Sequence, residues 1–293
     1  MSGFRGIVIE SPSKLSYKGS RMVVMSGEKT YRIHLSEIEA VVLKTNEVYI
    51  SAYLLAELAK AKVALITSDQ KHNPVGQYLP LYGAHNTSKR IKEQIEWGEP
   101  TKKRVWQRIV KDKIQHQSDV LKSRAREEQG KLLAKVIPEV RSGDVTNREA
   151  YSARVYFESL FGVGFSREDD TPINAALNYG YAVLLSTVNH EIVSRGYLTQ
   201  LGICHRNEYN QFNLSSDFME PFRPIVDLLV FDNVEEDFTP DTKHLLVDML
   251  NLSILYKGGI YRCSSVISLY IADCFKALNK KLSIDEIEPF EVA

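Results

Sequence analysis

Residues 215–224 read SSDFMEPFRP, and two acids in that stretch, Asp217 and Glu220, stand three positions apart. On a helix such positions share one face, so the carboxylates repel unless a cation sits on them. Pro221 and Pro224 follow, with Arg223 between them. Each proline removes a backbone donor, so a continuous helix must bend or break here. Carboxylates gathered at a bend are the donors that a hard divalent cation takes. A plainer reading covers the acids: a helix start capped by Ser215 or Ser216, with negative charge favoured in its first turn. It gives no reason for Pro221, Arg223 and Pro224.

Two further residues have ligand chemistry. Glu149, in TNREAYSARVYF, stands at helical spacing from Ala153, Phe157, Leu160 and Phe161, so it projects from the first turn of a packed helix. Thr146-Asn147-Arg148-Glu149 also has capping-box form, in which the glutamate only returns a hydrogen bond to Thr146. His205, in LGICHRNEYNQF, follows an apolar stretch and precedes Asn, Gln and aromatic residues. A lone histidine there is either a ligand or a structural group. Cys204 beside it does not make a thiol site, because adjacent side chains point apart on most backbones. Residue chemistry alone leaves all three positions open.

These side chains are carried by 293 residues, 33.3 kDa, enough chain for two domains. A composition of 44% hydrophobic and 25% charged residues is that of a soluble globular protein. No apolar run of about 18 residues predicts a membrane span, and MSGFRGIVIESPSK lacks a secretory core. Cys204, Cys263 and Cys274 have no zinc spacing and fit a reducing cytoplasm. The net charge of zero hides a division: residues 87–141 carry fifteen Lys/Arg against eight Asp/Glu, and residues 205–240 carry two against eight. Either these are solvated faces, or a basic track for a polyanion flanks an acidic pocket for a metal.

The first eighty residues predict strands: GIVIE, LSYKGSRMVVM with a break at Lys18-Gly19-Ser20, YRIHL, EAVVLKT, VYISA and VALITS. SAYLLAELAKAK predicts a short helix, and Asp69 with His72-Asn73-Pro74 ends the last strand. YGAHNTSKRI reads as a linker, with Gly83 supplying turn chemistry. The period then changes. Val105, Trp106, Ile109, Val110 and Ile114 line one face of a helix whose other side is wet and basic. Thr171 and Pro172 open a central helix that Gly196 closes, and the rest reads as helical to about residue 280.

The order NREAYSARVYF, INAALNYGYAVLLS, GICHRNEYNQFNLSSDFMEPFRPIVD resembles the CRISPR adaptation integrase, the larger of the two proteins that insert new spacers. IHLSEIEAVVL and ISAYLLAELAKAKVALITSDQKHNPVG fit the same family, and the wording NQFNLSSDFMEPFRP is most similar to its type II branch. The resemblance implies an α+β protein: a β-rich dimerisation domain over 1–82, a linker over 83–100 and a larger all-α catalytic domain over 101–293. It implies Mg2+ or Mn2+ held by Glu149, His205 and Glu220, where many relatives place aspartate at the last position. Asp217 falls where relatives have a supporting acid. Arg223 then pairs with an acid or reaches a phosphate, and Asn178 supports the site by packing and hydrogen bonding.

The implied reaction joins the 3′-hydroxyl ends of a short DNA duplex to repeat DNA by transesterification. Lys89, Arg90, Lys102, Lys103, Arg104 and Arg108 are the candidates for holding the DNA backbone. Implied partners are a second copy of the chain, a small ferredoxin-like companion whose dimer bridges two integrase dimers, and other type II CRISPR proteins. A metal-dependent endonuclease on branched DNA and a scaffold without chemistry are the rival readings. The acidic stretch 283–292 reads as a solvated end or a protein contact.

Overall fold

The computed structural model describes residues 5–70, 74–81, 84 and 86–292. His72, Asn73 and Gly83, expected in turns, lie outside them. The first part of the chain forms β1 (Arg5–Ile9), β2 (Ser13–Lys18), β3 (Arg21–Ser26), β4 (Lys29–His34), β5 (Ile38–Leu43), β6 (Val48–Ile50), α1 (Ala52–Ala61), β7 (Ala64–Ser68) and β8 (Pro74–Tyr78). They build two four-stranded sheets, ordered β1-β5-β7-β8 and β4-β3-β2-β6. At the β2–β3 turn Gly19 and Ser20 both have positive φ, 57° and 61°, which gives a two-residue hairpin its matching twist.

Strands β5 and β7 are buried on both faces. Val41, Leu43 and Leu65 pack with Leu15, Met22 and Leu54 between the sheets and α1. Ala40, Val42, Ala64 and Ile66 face the other way and join the core of the helical part. Burial on both faces is why AVVL and ALI read as continuous apolar runs. The side-chain amide of Gln77 crosses the same boundary to the Ser186 carbonyl at 2.7 Å.

The helical part comprises α2 (Thr87–Ile95), α3 (Glu99–Ser123), α4 (Glu127–Val136), α5 (Arg148–Phe161), α6 (Pro172–Ser194), α7 (Asn213–Met219), α8 (Arg223–Asn233), α9 (Pro240–Asp248) and α10 (Cys263–Leu278). The stretch expected as a linker therefore contains α2 and the start of α3. Residues 87–95 hold no glycine or proline to stop a helix. Gln94 anchors α2 to the loop after α6. Its buried amide donates to the carbonyls of Leu198 and Leu201 at 2.9 and 3.0 Å and accepts the Leu198 N–H at 2.9 Å.

The part expected as all-α also holds a sheet. Strands β9 (Ser253–Tyr256), β10 (Gly259–Arg262) and β11 (Glu291–Val292) pair in the order β10-β9-β11. SILY and GIYR are joined through Lys257 and Gly258, both at positive φ, so turn chemistry here outweighs the helical surroundings. The tail is docked rather than solvated. Ile287 and Phe290 are 0% and 1% exposed, and burying two large apolar side chains outweighs the solvation of the acids around them. Among the described residues, no helix is long and apolar enough to cross a membrane.

The expected face of α3 is buried: Val105, Trp106, Ile109, Val110 and Ile114. Its second half departs from a wet basic side, because Asp112, Lys113, His116, Gln117 and Ser118 are buried too. Helices α4, α5 and α8 pack around that half.

Candidate active site

Asp217, fully buried on α7, organises the loop that carries His205. Its Oδ2 accepts the backbone N–H groups of Ile203 and Cys204 at 2.6 and 3.2 Å; its Oδ1 accepts the N–H of His205 at 3.0 Å. The His205 ring reaches the same Oδ1 through Nδ1 at 2.7 Å. The carboxylate oxygen accepts from the ring, so Nδ1 carries the proton and Nε2 is left for a further partner. The loop closes tightly at Gly202, where an added Cβ would lie 2.3 Å from the His205 carbonyl and 2.8 Å from Asp217 Oδ2. Trp106 meets the imidazole edge-on at 5.7 Å. The Asp217 hydrogen bond raises the imidazole pKa against the opposing effect of burial, and the charges of Asp217, Glu220 and Glu149 add to it.

The prolines break the helix as their chemistry requires. Helix α7 ends at Met219, a single tight turn spans Glu220–Phe222, and α8 starts at Arg223. Across this turn Glu220 and Asp217 take separate partners. Asp217 is committed to the loop, so the pair does not share one cation from one helix face. Glu220 instead meets Lys113 of α3: Oε2 lies 2.5 Å from Nζ, while Oε1 accepts from Arg223 Nε at 2.9 Å. Burial pushes the Glu220 carboxyl up, but Lys113 and Arg223 overcome it and hold the pKa below its ordinary value. Arg223 lies over the Tyr181 ring, 4.6 Å from its centre. Tyr181 donates in turn to buried Asp227, whose carboxyl burial raises to about 6 against the pull of Tyr181, Arg223 and Lys113.

Glu149 arrives from the first turn of α5 and lies 2.8 Å from the same Lys113 ammonium. The capping box with Thr146 does not form. Asn147 takes a left-handed conformation, φ 51°, and the Asp144 carboxylate accepts the N–H groups of Arg148 and Glu149 at 2.9 Å each. The Glu149 carboxylate is thereby free to face Lys113. Burial would lower the Lys113 pKa, yet Glu220 and Glu149 raise it above the ordinary value, so the group is an ammonium. Cys204 is a neutral thiol, pushed up to about 12 by burial and by the charges of Asp217 and Glu149.

Among the described residues no three His, Cys, Asp or Glu side chains converge to coordination distance; a cation already bridges the two glutamates. That ammonium is a stand-in for the charge the cluster accepts. Two carboxylates beside an imidazole with a free Nε2 suit Mg2+ or Mn2+ as a donor set.

Lys113 was not among the candidates read from the sequence. Its one signal was position: four residues after Ile109 and three after Val110, it falls on the apolar side of α3. Asn178 does not join the cluster; it is exposed on α6 and its amide oxygen accepts from Arg167 at 2.6 Å. The basic candidates divide. Arg108 is committed to buried Asp112 at 2.9 Å, Arg90 to Glu93 at 2.9 Å, and Lys102 to Glu99. Lys89, Lys103 and Arg104 are exposed.

Comparison with known proteins places this arrangement. Residues 7–248 match the family described as CRISPR associated protein Cas1. The CRISPR-associated endonuclease Cas1 of Neisseria meningitidis is 35% identical over 98% of both chains. A casposase bound to integration product superposes with a TM-score of 0.76 at 18% identity, over 96% of this chain and 93% of that one. A chain of a partial Cas6-RT-Cas1–Cas2 complex gives 0.66 at 17%, over 98% and 99%. The solved structures, at such identities, speak for the fold; the family match and the Neisseria relative, each spanning most of the sequence, make this chain a member of the Cas1 family of CRISPR-associated proteins.

Proposed function

We propose that the chain is a metal-dependent DNA integrase of CRISPR adaptation. The observation that carries the reading is the pair Glu149 and Glu220, brought from separate helices onto one positive charge at 2.8 and 2.5 Å. Such a pair, next to an imidazole oriented by a buried acid, is a site shaped for a cation. Glu149, Glu220 and His205 Nε2 would hold Mg2+ or Mn2+, with Asp217 fixing the ring and Arg223 neutralising the inner oxygen of Glu220. When bound, the ion supplies Lewis-acid polarisation of a phosphoryl oxygen and acidifies the attacking hydroxyl.

The 3′-oxygen of the incoming duplex attacks a phosphorus of the repeat DNA. The new P–O bond replaces the P–O3′ bond of the target strand, which leaves with the proton as a free 3′-hydroxyl. One phosphodiester is exchanged for another, so no external energy source is needed. Lys89, Lys103 and Arg104 offer backbone contacts. The neighbouring structures, a casposase bound to integration product and a partial Cas6-RT-Cas1–Cas2 complex, support DNA and a companion protein as partners; the chain would work as a dimer. The name of the Neisseria relative, a CRISPR-associated endonuclease, favours endonucleolytic cleavage as a second reading, for which branched DNA would be the substrate.

Joining of a labelled 3′-hydroxyl duplex to a supercoiled repeat plasmid tests the proposal. It is run with Mg2+, Mn2+ or EDTA, with and without the companion, beside His205→Ala and Glu220→Ala. Metal-dependent joining lost in both variants supports integration at this site. Simple cut ends without joined product favour the endonuclease, and joining that survives both substitutions removes the site.

A further inference from the structure

Lys113 stands where an ion would contact Glu149 and Glu220, 2.8 and 2.5 Å from one oxygen of each. An ammonium and a divalent cation need the same oxygens and repel each other, so both cannot occupy the place. Lys113 also has limited freedom. Its backbone belongs to a helix packed on α4, α5, α7, α8 and α10, and only its four-carbon stem can swing. Moving a buried ammonium off two carboxylates is costly unless another anion receives it.

The cluster is unevenly open. The side chain of Glu220 is 5% exposed, whereas those of Glu149 and His205 are 25% and 41% exposed. A ligand therefore approaches from the Glu149 and His205 side. Arg223, itself 28% exposed, already holds the opposite oxygen of Glu220, and its charge repels the ammonium, so the ammonium's way out is towards Glu149 and His205, the mouth of the cluster. For a site that acts on DNA, the anion arriving at the mouth is a phosphodiester.

We propose that Lys113 is a displaceable internal counter-ion that makes metal binding depend on a nucleic-acid phosphate. Without DNA it neutralises Glu149 and Glu220 and competes with the ion. With a phosphodiester at the mouth it turns to a phosphoryl oxygen and yields the two carboxylates. The proposal rests on the integrase reading above. It makes metal and DNA affinity rise together, by the same factor in each direction. The protein away from DNA then holds little metal.

Mn2+ binding, followed by loss of the free-ion electron paramagnetic resonance signal, tests this without turnover. Wild type and Lys113→Met are titrated with and without a duplex bearing dideoxy 3′ ends, after subtracting ions held by the duplex alone. DNA is expected to tighten Mn2+ binding by wild type on the order of tenfold. Lys113→Met is expected to bind Mn2+ tightly without DNA and to gain little from it. Lys113→Gln, which keeps a neutral hydrogen-bonding group, replaces the methionine variant if that one does not fold. Equal wild-type affinity with and without DNA overturns the proposal, as does a neutral variant that binds Mn2+ no tighter than wild type. Both outcomes leave the metal site standing; absence of Mn2+ binding in every arm overturns the site and the proposal together.

Discussion

Asp217 Oδ1 accepts two hydrogen bonds from a single residue, the backbone N–H of His205 at 3.0 Å and its ring Nδ1 at 2.7 Å. The loop's path and the ring's orientation thus hang on one atom. Asp217→Ala leaves the N–H groups of Ile203, Cys204 and His205 without their acceptor. The expected loss of stability is on the order of 3 kcal/mol, read by thermal unfolding, together with loss of DNA joining.

Glu149 and Glu220 are expected to separate in stability while agreeing in activity. Glu220→Gln leaves Lys113 and Arg223 short of a buried partner, at a cost of about 3 kcal/mol. Glu149→Gln removes a partner that is one-quarter exposed, so screening by water makes its effect much smaller. Both should abolish joining. Calorimetry beside the joining assay checks the pair, and equal melting temperatures would contradict the burial difference.

Asp227 sets a pH dependence. Its carboxyl is raised from 3.8 to about 6 in the folded chain, so the folded state binds that proton more tightly than the unfolded state. Its stabilising contribution is complete below pH 3.8 and is lost as the pH rises through about 6. Asp227→Asn keeps an acceptor for Tyr181 without the charge. The variant should match wild type near about pH 4 and exceed it at about pH 8 by on the order of 2 to 3 kcal/mol, measured by urea unfolding.

The basic candidates should sort by their partners. Substituting Lys89, Lys103 or Arg104 by Ala is expected to weaken DNA binding at all sequences and to reduce the salt slope by about one each. Arg108→Ala breaks the pair with Asp112 at 2.9 Å and is expected to lower stability. Fluorescence anisotropy across a salt series separates the two groups.

Phe290→Ala is expected to cost about 3 to 5 kcal/mol. The ring stacks on Phe222 at 4.5 Å and on His116 at 4.0 Å, and Phe222 belongs to the turn that holds Glu220. Thermal unfolding and joining should therefore fall together.

What could be read from the sequence was local chemistry. Thr171 caps its helix as its type predicts, accepting from Asn174. Pro221 and Pro224 announced the break beside Glu220. What escaped was set by distant contacts. Lys113 meets acids 36 and 107 positions away, and no local pattern tells a lysine on an apolar face that it will bridge them. The Thr146 capping box was displaced by an acid two residues further back, Asp144, because Asn147 turns left-handed. Strand β9 was missed although its hairpin partner β10 is adjacent, because the four residues of SILY and of GIYR carry too little periodicity.

His116 ties the Pro221 carbonyl to that of Phe290, each at 2.8 Å, across 105 and 174 positions. A nascent chain therefore cannot finish the floor under Glu220 until synthesis has passed Phe290 and that segment has cleared the ribosome tunnel. A chain halted after α8 would carry Glu149, Lys113, His205 and Glu220 but lack the piece that braces their turn. Interrupted translation thus yields fragments that hold every candidate ligand but leave the Glu220 turn unbraced.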